Sequence, residues 1–160
     1  MIGFLTRQLD AVTFGTSLAF MVLALGAFWL VRAQDRFLPW KWLGFSALAA
    51  GLGEWQQLVF ALLGGEPASP AFGLLLPMVA AVFLGKFALA GWAGLGRRQP
   101  GRWLLWVAIG LAAAGGLWGL PGLQAGVYWG LILPVHLAAG LVWWLTVRQE
   151  NWRGILLRLV

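Results

Sequence analysis

The sequence predicts an all-α integral membrane protein with about five transmembrane helices. Hydrophobic residues make up 61% of its 160 residues and charged residues only 10%, and the mean hydropathy is +0.84. This composition is typical of chains embedded in a bilayer. Five apolar stretches are long enough to cross about 30 Å of hydrocarbon at about 1.5 Å per residue: residues 12–31, 40–63, 72–95, 103–120 and 123–147. No alternating strand pattern accompanies them.

The first apolar stretch follows a segment that mixes apolar residues with Arg7 and Asp10. That mixture predicts a short helix lying at the membrane interface. The stretch itself is too long for the core of a signal peptide, and Arg32 follows it without a small-residue cleavage site. We therefore expect it to be retained as the first span.

The second span contains Glu54 near its middle, where a carboxylate costs roughly 3 kcal/mol to insert. At helical spacing Gly44, Ala47, Gly51, Glu54 and Leu58 form one stripe. Small residues on such a stripe let a neighbouring helix approach closely. The stripe therefore predicts tight packing with the acid inside the contact.

The third span contains Lys86, which we expect to pair with Glu54. Counted from the helix ends at about 1.5 Å per residue, Glu54 lies roughly 20 Å deep and Lys86 roughly 15 Å deep. The pair, with Gln57 one turn from Glu54, is a candidate gate or proton-sensitive switch. The alternatives are a structural ion pair or a snorkelling lysine. Trp55 is a further ligand candidate, although its position next to Glu54 points it elsewhere.

The last two spans are rich in glycine. Gly122, Gly126 and Gly130 recur every four residues, which predicts close packing of the fifth helix on the fourth. Pro134 continues that stripe and removes one backbone hydrogen bond, so the carbonyl of Gly130 needs another partner.

His136 is the only histidine and lies in the fifth span. Its imidazole could bind a haem or another pigment as an axial ligand, or hydrogen-bond a quinone. The alternative is a structural histidine bonded within the fold. Because the sequence has a single histidine, ligation of a haem by two histidines of one chain is excluded. No metal site is otherwise predicted.

Basic residues indicate the orientation. Arg32, Arg36 and Lys41 surround the first connection, and Arg97, Arg98 and Arg102 the third, whereas the second has only Glu66 and the fourth no charge. The positive-inside rule places the N-terminus outside and the C-terminus in the cytoplasm. Tryptophans predict an interfacial belt at the cytoplasmic boundary, formed by Trp29, Trp40, Trp42, Trp92, Trp103, Trp106, Trp143, Trp144 and Trp152, with Trp118 and Trp129 at the other boundary.

Residues 1–147 form one predicted five-helix domain. Residues 148–160 place Trp152, Ile155, Leu156 and Leu159 on one helical face, which predicts a cytoplasmic amphipathic helix or the start of a signalling helix. The charge of +6 is explained by membrane topology rather than by nucleic acid. There is no cysteine, phosphate-binding loop, catalytic triad or carboxylate pair, so we expect no enzyme.

Four segments resemble the N-terminal membrane sensor regions of bacterial histidine kinases and diguanylate cyclases: residues 14–23, 50–55, 81–87 and 128–134. The resemblance implies a multi-helix input module that transmits a change of state through its last helix to a cytoplasmic output domain. The sequence departs from this pattern at Lys86 and ends at Val160 without such a domain. We expect a fragment of a receptor or a reused fold.

Three functions follow as hypotheses. The first is a sensory input module without catalysis in the bacterial cytoplasmic membrane. The second is an accessory subunit of a respiratory or photosynthetic complex that binds lipid, pigment or quinone. The third is a transporter component, which the lack of an inverted repeat disfavours. Membrane lipids and other membrane subunits, or a second copy in a homodimer, are the expected partners.

Overall fold

The computed structural model describes residues 2–33, 38–63, 72–96, 101 and 103–149. It forms the helices α1 Ile2–Arg32, α2 Trp40–Leu62, α3 Phe72–Gly94 and α4 Trp103–Gly115, a 3₁₀ turn Gly116–Trp118, α5 Gly119–Ala125, a π-helical segment Gly126–Ile132 and α6 Leu133–Gln149. The described ranges contain no strand. The predicted all-α class is therefore confirmed.

Three described stretches are long and apolar enough to cross a membrane: Ala11–Arg32, Gly73–Gly94 and Trp103–Arg148. The predicted second span, α2, is not among them because Glu54, Gln56 and Gln57 lower the hydropathy of its second half. α1 is one helix over both the predicted interfacial segment and the first span. The predicted amphipathic tail falls largely on residues 150–160, outside the described residues.

The 46-residue stretch Trp103–Arg148 is a helical hairpin. α4 ends at Gly115, and the backbone turns at Gly119, whose φ of +76° is in the left-handed region that glycine tolerates. The return leg starts at Gly119 rather than at residue 123 as predicted. Pro121 fits its first turn, where the missing N–H has no helical partner to lose.

The return leg changes from α to π geometry before Pro134. A proline ring in a regular α-helix clashes with the carbonyl four residues earlier, here that of Gly130. The π-helical segment Gly126–Ile132 adds a residue to the turn and relieves this conflict. α5, the π-helical segment and α6 thus form one continuous leg, called the last leg below.

The helices pack in the order α1, α2, α3, last leg, α4. The hydroxyl of Ser17 donates to the carbonyl of Gly51 at 3.0 Å, and that of Ser46 to the carbonyl of Ala80 at 2.9 Å. The largest fully buried side chains include Phe87, Leu131 and Val142, at the junction of α3 and the last leg.

Large apolar side chains also cover the outside of the bundle. Leu117 is 83% exposed and Trp106 71% exposed, and each of the long helices has further exposed large apolar side chains. Water-soluble monomers rarely expose contiguous apolar surface of this extent. The outer surface therefore fits a hydrocarbon solvent.

The hairpin predicts a sharp difference between two glycines. A Cβ on Gly126 would lie 2.7 Å from the carbonyl oxygen of Ala112, on a backbone that cannot move aside cheaply, whereas one on Gly140 meets nothing within 4 Å. Gly126→Ala should therefore lower the unfolding free energy by about 1–3 kcal/mol. Thermal unfolding in detergent measures this, with Gly140→Ala as the matched control. Equal melting temperatures for both variants would contradict the hairpin packing.

Candidate functional site

One end of the bundle collects many of the tryptophans predicted for the cytoplasmic belt. The rings of Trp40 and Trp143 meet edge to face, with centroids 5.5 Å apart. A Cβ on Gly91 would lie 2.6 Å from the side chain of Val142 and 3.8 Å from that of Pro39. The start of α2 and the ends of α3 and α6 therefore converge, and this region is called the aromatic end below.

Lys86 lies at the aromatic end and not beside Glu54. Its Nζ is 4.7 Å from the centre of the Trp42 ring. Trp42 and Glu54 are twelve residues apart on α2, which is about 18 Å along the helix axis. The expected ion pair is therefore ruled out in this packing. The estimate from helix ends failed because α2 and α3 are staggered, as the bond from Ser46 to Ala80 shows.

Trp42 is contacted by two cations. Lys41 places its Nζ 5.1 Å from the ring centre, and Lys86 is the second. Both lysines are exposed, and the indole is half-buried. Ammonium groups within about 6 Å of an indole are attracted by its negative face. The two Nζ atoms therefore lie within about 10 Å of each other, around one indole on the outer surface of α2 and α3.

Three phenylalanines extend this surface away from the lysines. Phe83 stacks on Trp42 with centroids 6.0 Å apart, Phe45 lies 5.4 Å from Phe83, and Phe28 of α1 lies 5.2 Å from Phe45. The term Trp42 cluster denotes Lys41, Trp42, Phe45, Phe83, Lys86 and Phe28. Its two ammonium groups are at the edge nearer the aromatic end, and its phenyl rings are farther from that end.

Glu54 is half-buried on the stripe of α2 that contains Gly51. A Cβ on Gly51 would be 3.2 Å from the carbonyl oxygen of Ser17, so the stripe lies against α1. Trp55 is 42% exposed, and its ring centre is 6.0 Å from that of Phe14. Gln57 is exposed. Glu54 and Trp55 are therefore near α1, and all three predicted switch residues of α2 are remote from Lys86.

His136 is exposed on α6, and its Nδ1 lies 2.8 Å from the carbonyl oxygen of Ile132. A carbonyl oxygen only accepts hydrogen bonds, so Nδ1 is the donor. In the neutral imidazole Nε2 is then the nitrogen with a lone pair for an acceptor or ligand role. A cavity of about 230 Å³ adjoins it, lined by Tyr128, Trp129, Ile132, Leu133 and His136. Donation from one ring nitrogen to a backbone oxygen also orients metal-binding histidines. The geometry is compatible with either interpretation of His136.

A second, larger groove separates α3, α4 and α6. It has a volume of about 310 Å³, within the range of small-molecule pockets. Its lining is apolar and includes several small residues: Gly85, Ala88, Leu89, Trp92, Leu104, Leu105, Ala108, Pro134, Val135, Ala138, Leu141 and Val142. Such a groove fits an acyl chain or a hydrophobic ring.

The predicted packing residues lie along the hairpin. Gly122 faces Gly115, Gly126 faces Ala112, and Gly130 is 3.4 Å from the Leu111 side chain, measured from an added Cβ. Pro134 lines the groove between the three helices. Within the described residues no three His, Cys, Asp or Glu side chains form a metal-binding group.

Sequence reasoning did not find the Trp42 cluster or the groove. The spacing of Trp42 with Phe45, and of Phe83 with Lys86, does place each pair on one helix face. That the two faces adjoin depends on the stagger of α2 and α3, which the spacing alone does not specify.

No protein-family model matches this sequence, and no curated protein or solved structure is significantly similar to it.

Proposed function

We propose that the protein crosses the bacterial cytoplasmic membrane five times, with its N-terminus outside and its C-terminus in the cytoplasm. The hairpin supplies two antiparallel legs from the 46-residue apolar stretch. α2 lies between α1 and α3, both of spanning length, and its small-residue stripe, which includes Glu54, faces α1. The helix ends beside the predicted basic connections, at Trp40 of α2 and Gly94 of α3, are at the aromatic end, where the positive-inside rule expects the cytoplasm.

The absence of cysteine permits a direct test of this topology. Single cysteines replacing Ser69 or Leu117 should react with an impermeant maleimide in intact cells. Single cysteines replacing Gln34 or Gln99 should react only after the cells are permeabilised. Labelling of Gln34→Cys and Leu117→Cys from the same side would contradict the five-span arrangement.

We further propose that this membrane domain is a non-catalytic sensory input module. The observation on which this depends is the groove of about 310 Å³ bounded by α6, the helix that leads to the C-terminus. An apolar or amphiphilic ligand in the groove would contact α6 along about two and a half turns, from Pro134 to Val142. Ligand occupancy can therefore bias the position of the helix that would signal to the cytoplasm.

The last leg is suited to two packings. Its π-helical segment precedes Pro134, and π geometry inside an α-helix is frequently found at functional sites. Conversion to α geometry would rotate α6 relative to α4. In this proposal the last leg replaces a pair of Glu54 and Lys86 as the element that switches, and Glu54 acts at the contact of α1 with α2.

A bulky side chain in the groove should imitate a ligand. Ala138 lines the groove and is exposed, so Ala138→Phe adds volume there without displacing buried core. In a fusion of the chain to a cytoplasmic histidine kinase, this variant should move basal kinase activity at least about fivefold from the parent level. Ala113→Phe, exposed on α4 away from the groove, is the matched control and should leave it unchanged.

The second candidate is an accessory subunit of a respiratory or photosynthetic complex, with a pigment or quinone bound near His136. The cavity that adjoins His136 favours it. The fusion experiment separates the two candidates. Equal kinase activity in Ala138→Phe, Ala113→Phe and the parent fusion would contradict the sensor, and migration of the native protein within a larger pigmented or redox assembly would support the subunit.

A further inference from the structure

We propose that the Trp42 cluster binds one anionic phospholipid, with its phosphate at Lys41 and Lys86 and an acyl chain on the phenylalanines. The inference requires insertion in a membrane but does not depend on signalling. It arises from the convergence of two ammonium groups on one ring, at 5.1 and 4.7 Å from its centre.

The positive charge of Lys41 and Lys86 favours the binding of an anion at this edge of the Trp42 cluster. Neither lysine is paired with a carboxylate in the described part of the chain, and two ammonium groups within about 10 Å of each other repel. Arg32 and Arg148 also lie at this end, and the adjacent connections add Arg36, Arg97 and Arg98 in sequence. A lipid phosphate offers several acceptor oxygens to flexible lysine donors, and basic residues near a bilayer surface attract anionic lipids.

The level of the cluster in the bundle matches that of a headgroup. Trp42 is the third residue of α2, close to the end where the other belt tryptophans gather. Indoles prefer the headgroup boundary of a bilayer. Lys86 reaches the same level through the stagger of α2 and α3, so both lysines lie where phosphates are found.

The phenyl rings of the Trp42 cluster lie closer to the bilayer centre than its two lysines. Phe45 is one turn beyond Trp42 along α2, and Phe83 one turn before Lys86 along α3, so both lie farther from the aromatic end. Phe45 is 41% exposed, and Phe83 and Phe28 are half-buried. Together these rings, one each from α1, α2 and α3, form an apolar surface that accommodates an acyl chain on the side of the phosphate nearer the bilayer centre.

Native mass spectrometry of the full chain, purified and stripped of lipid in mild detergent, tests the site. The parent protein should bind one phosphatidylglycerol in preference to phosphatidylcholine. Lys41→Gln with Lys86→Gln should lower that preference at least about tenfold, because each cation near the surface adds about 1 kcal/mol to the binding of anionic lipid. The double variant Lys41→Arg with Lys86→Arg keeps both positive charges and should keep the preference for phosphatidylglycerol. It controls for the effect of substitution at these two positions.

Arg148 supplies the matched control. Its guanidinium lies 5.4 Å from the ring centre of Trp144, a single cation on one indole at the same end of the bundle. Arg148→Gln should leave the preference intact. An equal loss in this variant would reduce the effect to general surface charge and overturn the site. Unchanged preference in the double glutamine variant would also overturn it, as would displacement of the lipid by excess inorganic phosphate.

Discussion

The register of α2 on α3 depends on one buried hydrogen bond, from the hydroxyl of Ser46 to the carbonyl of Ala80 at 2.9 Å. A second, from Ser17 to Gly51 at 3.0 Å, similarly aligns α1 with α2. Hydrogen bonds between helices in apolar surroundings contribute about 1 kcal/mol each. Their main effect on this fold is to fix the register between helices, because apolar helix faces alone permit several registers of nearly equal energy. Each pairing of side chains across these three helices follows from that alignment.

The register separates the polar residues of α2 into two regions with different roles. Glu54 and Gly51 belong to the contact with α1, half-way along the bundle. Trp42 and Lys41 belong to the aromatic end, where Lys86 joins them from α3. The groove lies on the opposite side of α3, next to the last leg. A lipid on the Trp42 cluster and a ligand in the groove would therefore contact the same helix from two sides, which makes α3 the natural route of any coupling between them.

Local chemistry predicted much of the fold. The composition indicated helices in a membrane, the recurrence of Gly122, Gly126 and Gly130 indicated a close hairpin, and Pro134 indicated an irregular backbone. The stagger between α2 and α3 was missed because it depends on a serine hydroxyl finding one carbonyl among many. The pairing of Glu54 with Lys86 was wrong for that reason. The reversal of the chain near Gly115 was placed late because glycine tolerates the turn at several neighbouring positions.

Disulfide cross-linking in the native membrane measures the register most directly, since the chain has no cysteine of its own. A disulfide requires Cα atoms within about 7 Å. In this register, Ser46→Cys with Ala80→Cys should cross-link rapidly under mild oxidation, whereas Glu54→Cys with Lys86→Cys should not. Efficient cross-linking of residues 54 and 86, with none between 46 and 80, would contradict the register and with it the placement of Lys86 at the Trp42 cluster.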